Sequence, residues 1–160
     1  MNLIVLFIAM VLMILLDQLT KIWAASQLGL VGDFPIWQGV LHFQYLENKG
    51  AAWGIFHGKQ FFLIALTSLI IIGMFVYFIK LPNTKIGKWY KIAFAMIISG
   101  AIGNLIDRII FHYVRDFIYF KLINFPIFNV ADIFVVCGVI LLMVVILFID
   151  KSSEVKKEGK

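Results

Sequence analysis

Four stretches of this 160-residue chain are almost unbroken hydrocarbon, and the polar positions fall at their ends and between them. The first runs over residues 3–23 and is wholly apolar as far as Leu16; residues 61–79, 89–111 and 128–149 follow in the same character. A helix that crosses a bilayer needs about 20 apolar residues, so each run is expected to be one span. The first could pass for a secretory signal, but no basic residue precedes it and its apolar core exceeds the usual 7 to 15 residues or so, which predicts a retained helix. Between the first two runs the pattern changes. Residues 26–59 carry glycines at 29, 32, 39, 50, 54 and 58, and Leu41, Phe43 and Tyr45 alternate with His42 and Gln44, a period of two that predicts strands. The expected fold class is a mainly α four-helix transmembrane bundle with a small antiparallel β-sheet on one surface, between helices one and two. Residues 1–150 read as one domain, with residues 151–160 as a disordered polar tail.

Composition sharpens this picture. Hydrophobic residues make up 62% of the chain and charged residues 14%, against about 25% charged in an ordinary soluble domain. The net charge of +5 does not point to nucleic acid, because the basic residues sit at the ends of apolar runs and not in an aromatic-studded stripe. They orient the spans. Lys80, Lys85, Lys88 and Lys91 crowd one connection and Lys151, Lys156, Lys157 and Lys160 the tail, so the positive-inside rule predicts both termini in the cytoplasm and the sheet outside. Trp23, Trp37 and Trp53 suit the headgroup level. Ala95, Ser99 and Gly103 recur every four residues on the third span, a face small enough for close helix packing. The single cysteine, Cys137, excludes an internal disulfide and reads as packing. His42, His57 and His112 lack metal-ligand spacing and there is no Cys cluster, so a metal site is not expected.

Candidate chemistry concentrates in residues 100–132, where Asp107, Asp116, Asp132, Arg108 and Arg115 stand among apolar neighbours. An ionisable group at bilayer depth costs about 2.5 to 3.5 kcal/mol on the gentlest scale, so it usually faces a partner or a wet cavity. Asp116 is expected in a short connection beside Arg115. Asp132 is expected just inside a helix that Asn129 caps. Two carboxylates in different settings can share one proton and activate water without a metal, while Asn129 and Asp132 also fit a plain helix N-cap with an acidic first turn. Asp17 and Lys21 fit an i, i+4 ion pair or a role in orienting the site. Asn48 fits a turn residue or a group that binds an extended backbone. Asp107 and Arg108 fit a snorkelling interface pair, or Arg108 braces a carboxylate or substrate carbonyl from above Asn104. On these residues alone three classes stand: an aspartic membrane protease, a small transporter or channel subunit with a carboxylate ion path, and a structural scaffold. The ion path has the difficulty that the inner halves of spans one, two and four are nearly pure hydrocarbon.

Five ordered blocks carry a resemblance: DQLTK at 17–21, ENKGAAWGI at 47–55, GNLIDR at 103–108, VRDF at 114–117 and FNVAD at 128–132. In order and spacing the chain resembles the bacterial lipoprotein signal peptidases, the type II signal peptidase family of intramembrane aspartic proteases. The resemblance implies a multi-pass protein of the bacterial cytoplasmic membrane, with its active site near the outer face and the sheet acting as a β-cradle. It implies cleavage of prolipoproteins before a diacylglyceryl-modified cysteine, by a monomer in contact with membrane lipids and without a cofactor. By match of motif, Asp116 and Asp132 would be catalytic, and Asn48, Arg108, Asn129, Asn104, Asp17, Lys21 and Gly54 binding or supporting. Arg115 is a departure, since an uncharged residue is expected there in many relatives. Pointing inward, it would favour an ionised Asp116.

Overall fold

The computed structural model describes residues 2–50, 56 and 58–150. Four helices in it are long and apolar enough to cross a membrane. Helix α1 spans Leu3–Val31, α2 Gln60–Lys80, α3 Lys85–Phe111 and α4 Val130–Val144, the last continuing as a π-helical stretch Val145–Asp150. Strands β1 (Asp33–Trp37), β2 (Leu41–Asn48) and β3 (Val114–Phe120) form one antiparallel sheet in that order. Trp53, Gly54, His57 and the tail 151–160 lie outside the described residues.

Two expectations need correction. Helix α1 does not give way to strand at residue 26 but runs on to Val31, where Gly32 stops it at φ 79°, its N–H reaching Leu28 O at 2.9 Å. Only glycine takes that backbone conformation freely, so Gly32 and not Gly29 ends the helix. The larger correction concerns Asp116, which lies not in a connection but in a third strand. His112 closes α3 in the left-handed conformation, and the β-branched and aromatic run after it pairs antiparallel with β2, Asp116 standing opposite Leu46.

Helix α3 is the centre of the bundle and packs against each of the other three. Its small face makes this possible. A Cβ on Gly103 would lie 2.5 Å from Asp17 Oδ2 and 3.2 Å from Ala131 Cβ, so α1 and α4 close on α3 only because residue 103 has no side chain. A core of Leu6, Met10, Phe78, Ala95 and Ile98 fills one end. At the other, Ala24, Leu28 and Phe117 seat the sheet on α1, with the rings of Trp23, Phe43 and Phe117 meeting edge to face at 5.5 to 6.2 Å. Most remaining apolar side chains point outward, as expected of a protein solvated by lipid.

Candidate active site

The connection from β3 to α4 folds back on itself and brings residues 116 and 132 together. Phe117 and Ile118 both donate their N–H to Phe128 O, at 3.0 and 2.8 Å, and Phe128 N returns a bond to Ile118 O at 3.0 Å. Two donors on one acceptor make a β-bulge immediately after Asp116, a device that re-aims a strand's side chains. The residue after Phe128 is Asn129, which begins α4.

Asn129 and Asp132 form a reciprocal capping box. Asp132 N donates to Asn129 Oδ1 at 3.0 Å and Asn129 N to Asp132 Oδ2 at 3.1 Å. The cap reading of Asp132 is therefore right, and it does not consume the carboxylate. The amide of Asn129 still reaches Asp116 Oδ1 at 2.6 Å and Asn104 Oδ1 at 3.0 Å, while Asn104 Nδ2 donates to Asp132 Oδ1 at 2.8 Å. Asn48, at the end of β2, donates to Asp116 Oδ2 at 2.9 Å and accepts from Gly50 N at 2.9 Å, so it is turn residue and site residue at once.

Asp116, Asp132, Asn48, Asn104 and Arg108 all line one cleft of about 730 Å³, whose apolar wall comes from Ile127, Phe128 and the α4 residues Ile133 and Val136. Among the described residues, only neutral amides hydrogen-bond the two carboxylates. Burial, and next the charge of Asp132, push the carboxyl of Asp116 up to about 7, against the pull of the Asn48 and Asn129 amides. Arg108 reaches Gly50 O at 3.3 Å and Asn104 O at 3.5 Å, and its buried Nε finds no partner among the described residues. A guanidinium with a donor to spare suits an incoming carbonyl or carboxylate.

Asp107 does not snorkel beside Arg108. It is fully buried on the opposite side, where Arg115 Nη2 lies 2.7 Å from its Oδ1. Arg115 consequently points away from Asp116. Asp17 and Lys21 do pair one turn apart, at 2.9 Å, but in full burial, and Lys21 also reaches Asn104 Oδ1 at 2.8 Å and Asp107 at 3.6 Å. Asp17 Oδ1 accepts from Ala131 N at 2.9 Å, fixing the start of α4. Sequence reasoning passed over Gln18, whose amide bridges Asp17, Gly103 O and Asp107 at 3.0 to 3.3 Å. The available signal was a polar cluster, Asp17-Gln18 with Thr20-Lys21, in an otherwise apolar helix.

Residues 9–148 match the family model described as signal peptidase (SPase) II. The lipoprotein signal peptidase of Clostridium tetani (strain Massachusetts / E88) is 49% identical over 153 residues, which cover 93% of this chain and 96% of the relative. That of Microcystis aeruginosa (strain NIES-843 / IAM M-2473) is 42% identical over 141 residues, 86% of this chain and 88% of the relative. A solved bacterial membrane enzyme, determined by the in meso method at 2.3 Å resolution, superposes with a TM-score of 0.80 at 32% identity, covering 93% of this chain and 90% of that one.

Proposed function

The chain belongs to the signal peptidase II family, and from that premise we propose that it removes the signal peptide from bacterial prolipoproteins as an aspartic endopeptidase, cutting before a diacylglyceryl-modified cysteine. The observation that carries the catalytic type is the meeting of Asp116 and Asp132 in one cleft, hydrogen-bonded among the described residues only by neutral amides, with Asp116 pushed up to about 7. Two carboxylates so placed retain one proton between them near neutral pH.

In the proposed reaction the pair holds that proton on Asp116. The ionised Asp132 takes a proton from water as its oxygen attacks the scissile carbonyl, and Asp116 gives its proton to the carbonyl oxygen. The tetrahedral intermediate collapses with cleavage of the C–N bond. Asp132 returns the proton to the leaving amine, and the intermediate's hydroxyl proton goes back to Asp116. Arg108 and Asn48 bind the substrate's backbone at the cleft, and Asn104 and Asn129 orient the carboxylates. Asp17 and Lys21 support the α1–α3–α4 contact. Gly54 keeps its proposed supporting role on the motif match alone.

The arrangement of lysines supports a cytoplasmic location for both termini and an outer location for the sheet and cleft. Residues 1–150 would then act as a single domain and as a monomer, with the substrate's acyl chains left in the lipid while the peptide bond reaches the cleft. The ion-path reading has no observation in its favour.

The test is cleavage of a lipobox peptide carrying a diacylglyceryl cysteine by the detergent-purified wild type, Asp116→Asn and Asp132→Asn. Cutting before the lipidated cysteine, lost to background in both folded variants, is the expected result. Undiminished cutting by either variant overturns the aspartic assignment.

A further inference from the structure

Behind the wall of the cleft lies a second set of buried charges, linked to the first through one residue of β3. Successive side chains of a strand alternate in direction, so Asp116 faces the cleft and Arg115 the space between α1 and α3. Arg115 is only 5% exposed. Its backbone N–H donates to Asp107 Oδ2 at 2.9 Å, its Nε to the same oxygen at 3.1 Å, and its Nη2 to Asp107 Oδ1 at 2.7 Å and Gln18 Oε1 at 2.9 Å. The guanidinium also lies 4.6 Å from the ring centre of Phe111. One carboxylate thus grips both the side chain and the main chain of the residue that precedes Asp116.

Asp107 passes this contact on. It shares Lys21 with Asp17, and Lys21 holds Asn104, whose amide holds Asp132. A continuous path of polar contacts therefore runs from the neighbour of one carboxylate to the other carboxylate itself. The charges are also matched. Asp17, Asp107, Asp116 and Asp132 contribute four carboxylates, and Lys21, Arg108 and Arg115 three cations, so the assembly is neutral when the cleft pair keeps one proton. Other groups face the assembly from the packed strands: Glu47 stands opposite Arg115 in the β2–β3 register and, like Lys49, is exposed, so solvent screens its charge. The hydroxyl of Tyr45 lies within electrostatic reach of Arg115, and burial and Tyr113 push it up, so it stays neutral. Asn48, Asn104, Asn129 and Gln18 are uncharged.

We propose that Arg115 is a positioning residue for the aspartate pair: through Asp107 it locks the strand bearing Asp116 onto α1 and α3, and it is one of the three cations whose balance against four carboxylates leaves the pair a single proton. This role rests on the aspartic chemistry proposed above. A buried charge acts on its neighbours through a low effective dielectric, so its removal has a definite sign. Without Arg115 the surroundings become more negative, and the pair binds protons more tightly. Without Asp107 they become more positive, and the pair releases protons more readily.

The experiment is the pH dependence of kcat and kcat/KM toward the lipidated peptide for wild type, Arg115→Ala, Arg115→Lys, Asp107→Asn and the double variant Asp107→Asn/Arg115→Gln. Both limbs of the profile should move up by about one pH unit in Arg115→Ala and down by a similar amount in Asp107→Asn. In the double variant they should return to within a few tenths of a unit, roughly, of the wild type. Arg115→Lys keeps the charge but loses the fork, so its limbs should stay in place while kcat drops about tenfold and KM changes less than about twofold. Limbs that do not move in the single variants, or that move in the same direction, overturn the proposal. If Arg115→Ala does not fold, the limbs of the double variant must still lie above those of Asp107→Asn, and coincidence of the two overturns it equally. Active Asp116→Asn or Asp132→Asn would instead refute the aspartic reading, whereas inactive ones with unmoved limbs refute the role of Arg115 alone.

Discussion

Asp17 and Asp107 lie at the same end of the bundle as Asp116 and Asp132 and are fully buried, yet the two pairs live in different surroundings. The first is held by cations, Lys21 at 2.9 and 3.6 Å and Arg115 at 2.7 Å. The second is held by the amides of Asn48, Asn104 and Asn129, with Arg108 and Lys49 as the cations among the described residues that line the cleft. A carboxylate paired with a buried cation does structural work. One facing only neutral donors keeps its proton exchangeable, which is what acid–base chemistry near neutral pH requires. The same residue type is therefore a fastener or a reagent according to whether its neighbour carries a charge.

Removing the cation from the fastened pair should have the largest effect. Lys21→Met leaves Asp17 and Asp107 short of a buried partner, and the expected loss is about 3 to 5 kcal/mol of stability, read from denaturant unfolding in detergent. Changing the neutral donors should alter activity more than stability. Asn129→Ser keeps an oxygen that can cap α4 but removes the amide bonded to Asp116, so kcat should fall about tenfold to a hundredfold. The lost bond favoured the ionised form, so the alkaline limb of the pH profile, expected near 7 in the wild type, should move upward in that variant.

Smaller still is an effect on stability at the pair itself. The raised Asp116 means that the folded state binds more protons than the unfolded one between its ordinary value of 3.8 and about 7. Stability from this group is thus greatest below that window and declines as pH rises through it. Asp116→Asn should consequently be more stable than wild type by about 1 to 2 kcal/mol above pH 7 or so, with the advantage shrinking toward about pH 4 in thermal unfolding series. A last substitution should do almost nothing to catalysis. Asp33 belongs to a separate cluster on the sheet, paired with His42 at 2.6 Å and Lys121 at 3.0 Å, and these contacts hold its carboxyl below the usual range. Asp33→Asn should leave kcat/KM within about twofold of wild type; a large loss would mean that the hairpin controls the cleft.

The four helices were legible because hydropathy is written residue by residue, and a run of about 20 apolar side chains has few other uses. The site residues were legible for a related reason, since polar groups amid hydrocarbon stand out wherever they occur. Which of them would meet was harder. Asp107 stands beside Arg108 in sequence but bonds Arg115, because side chains adjacent on a helix diverge and those on different elements converge. Asp132 invited a choice between cap and reagent, and the structure shows that one carboxyl can cap Asn129 N through Oδ2 and accept from Asn104 through Oδ1.

Strand β3 marks the same boundary. Its residues favour a strand by propensity, but a strand exists only with a partner, and the partner here lies about 70 positions earlier, as in the pairing of Leu46 with Asp116. The sequence by itself determined a membrane bundle, its polar end and the residue types available for chemistry, because each follows from the cost of placing a side chain in lipid. The tertiary structure alone decided which carboxylates face cations and which face amides. That division depends on which elements pack together, and no local property of the chain encodes it.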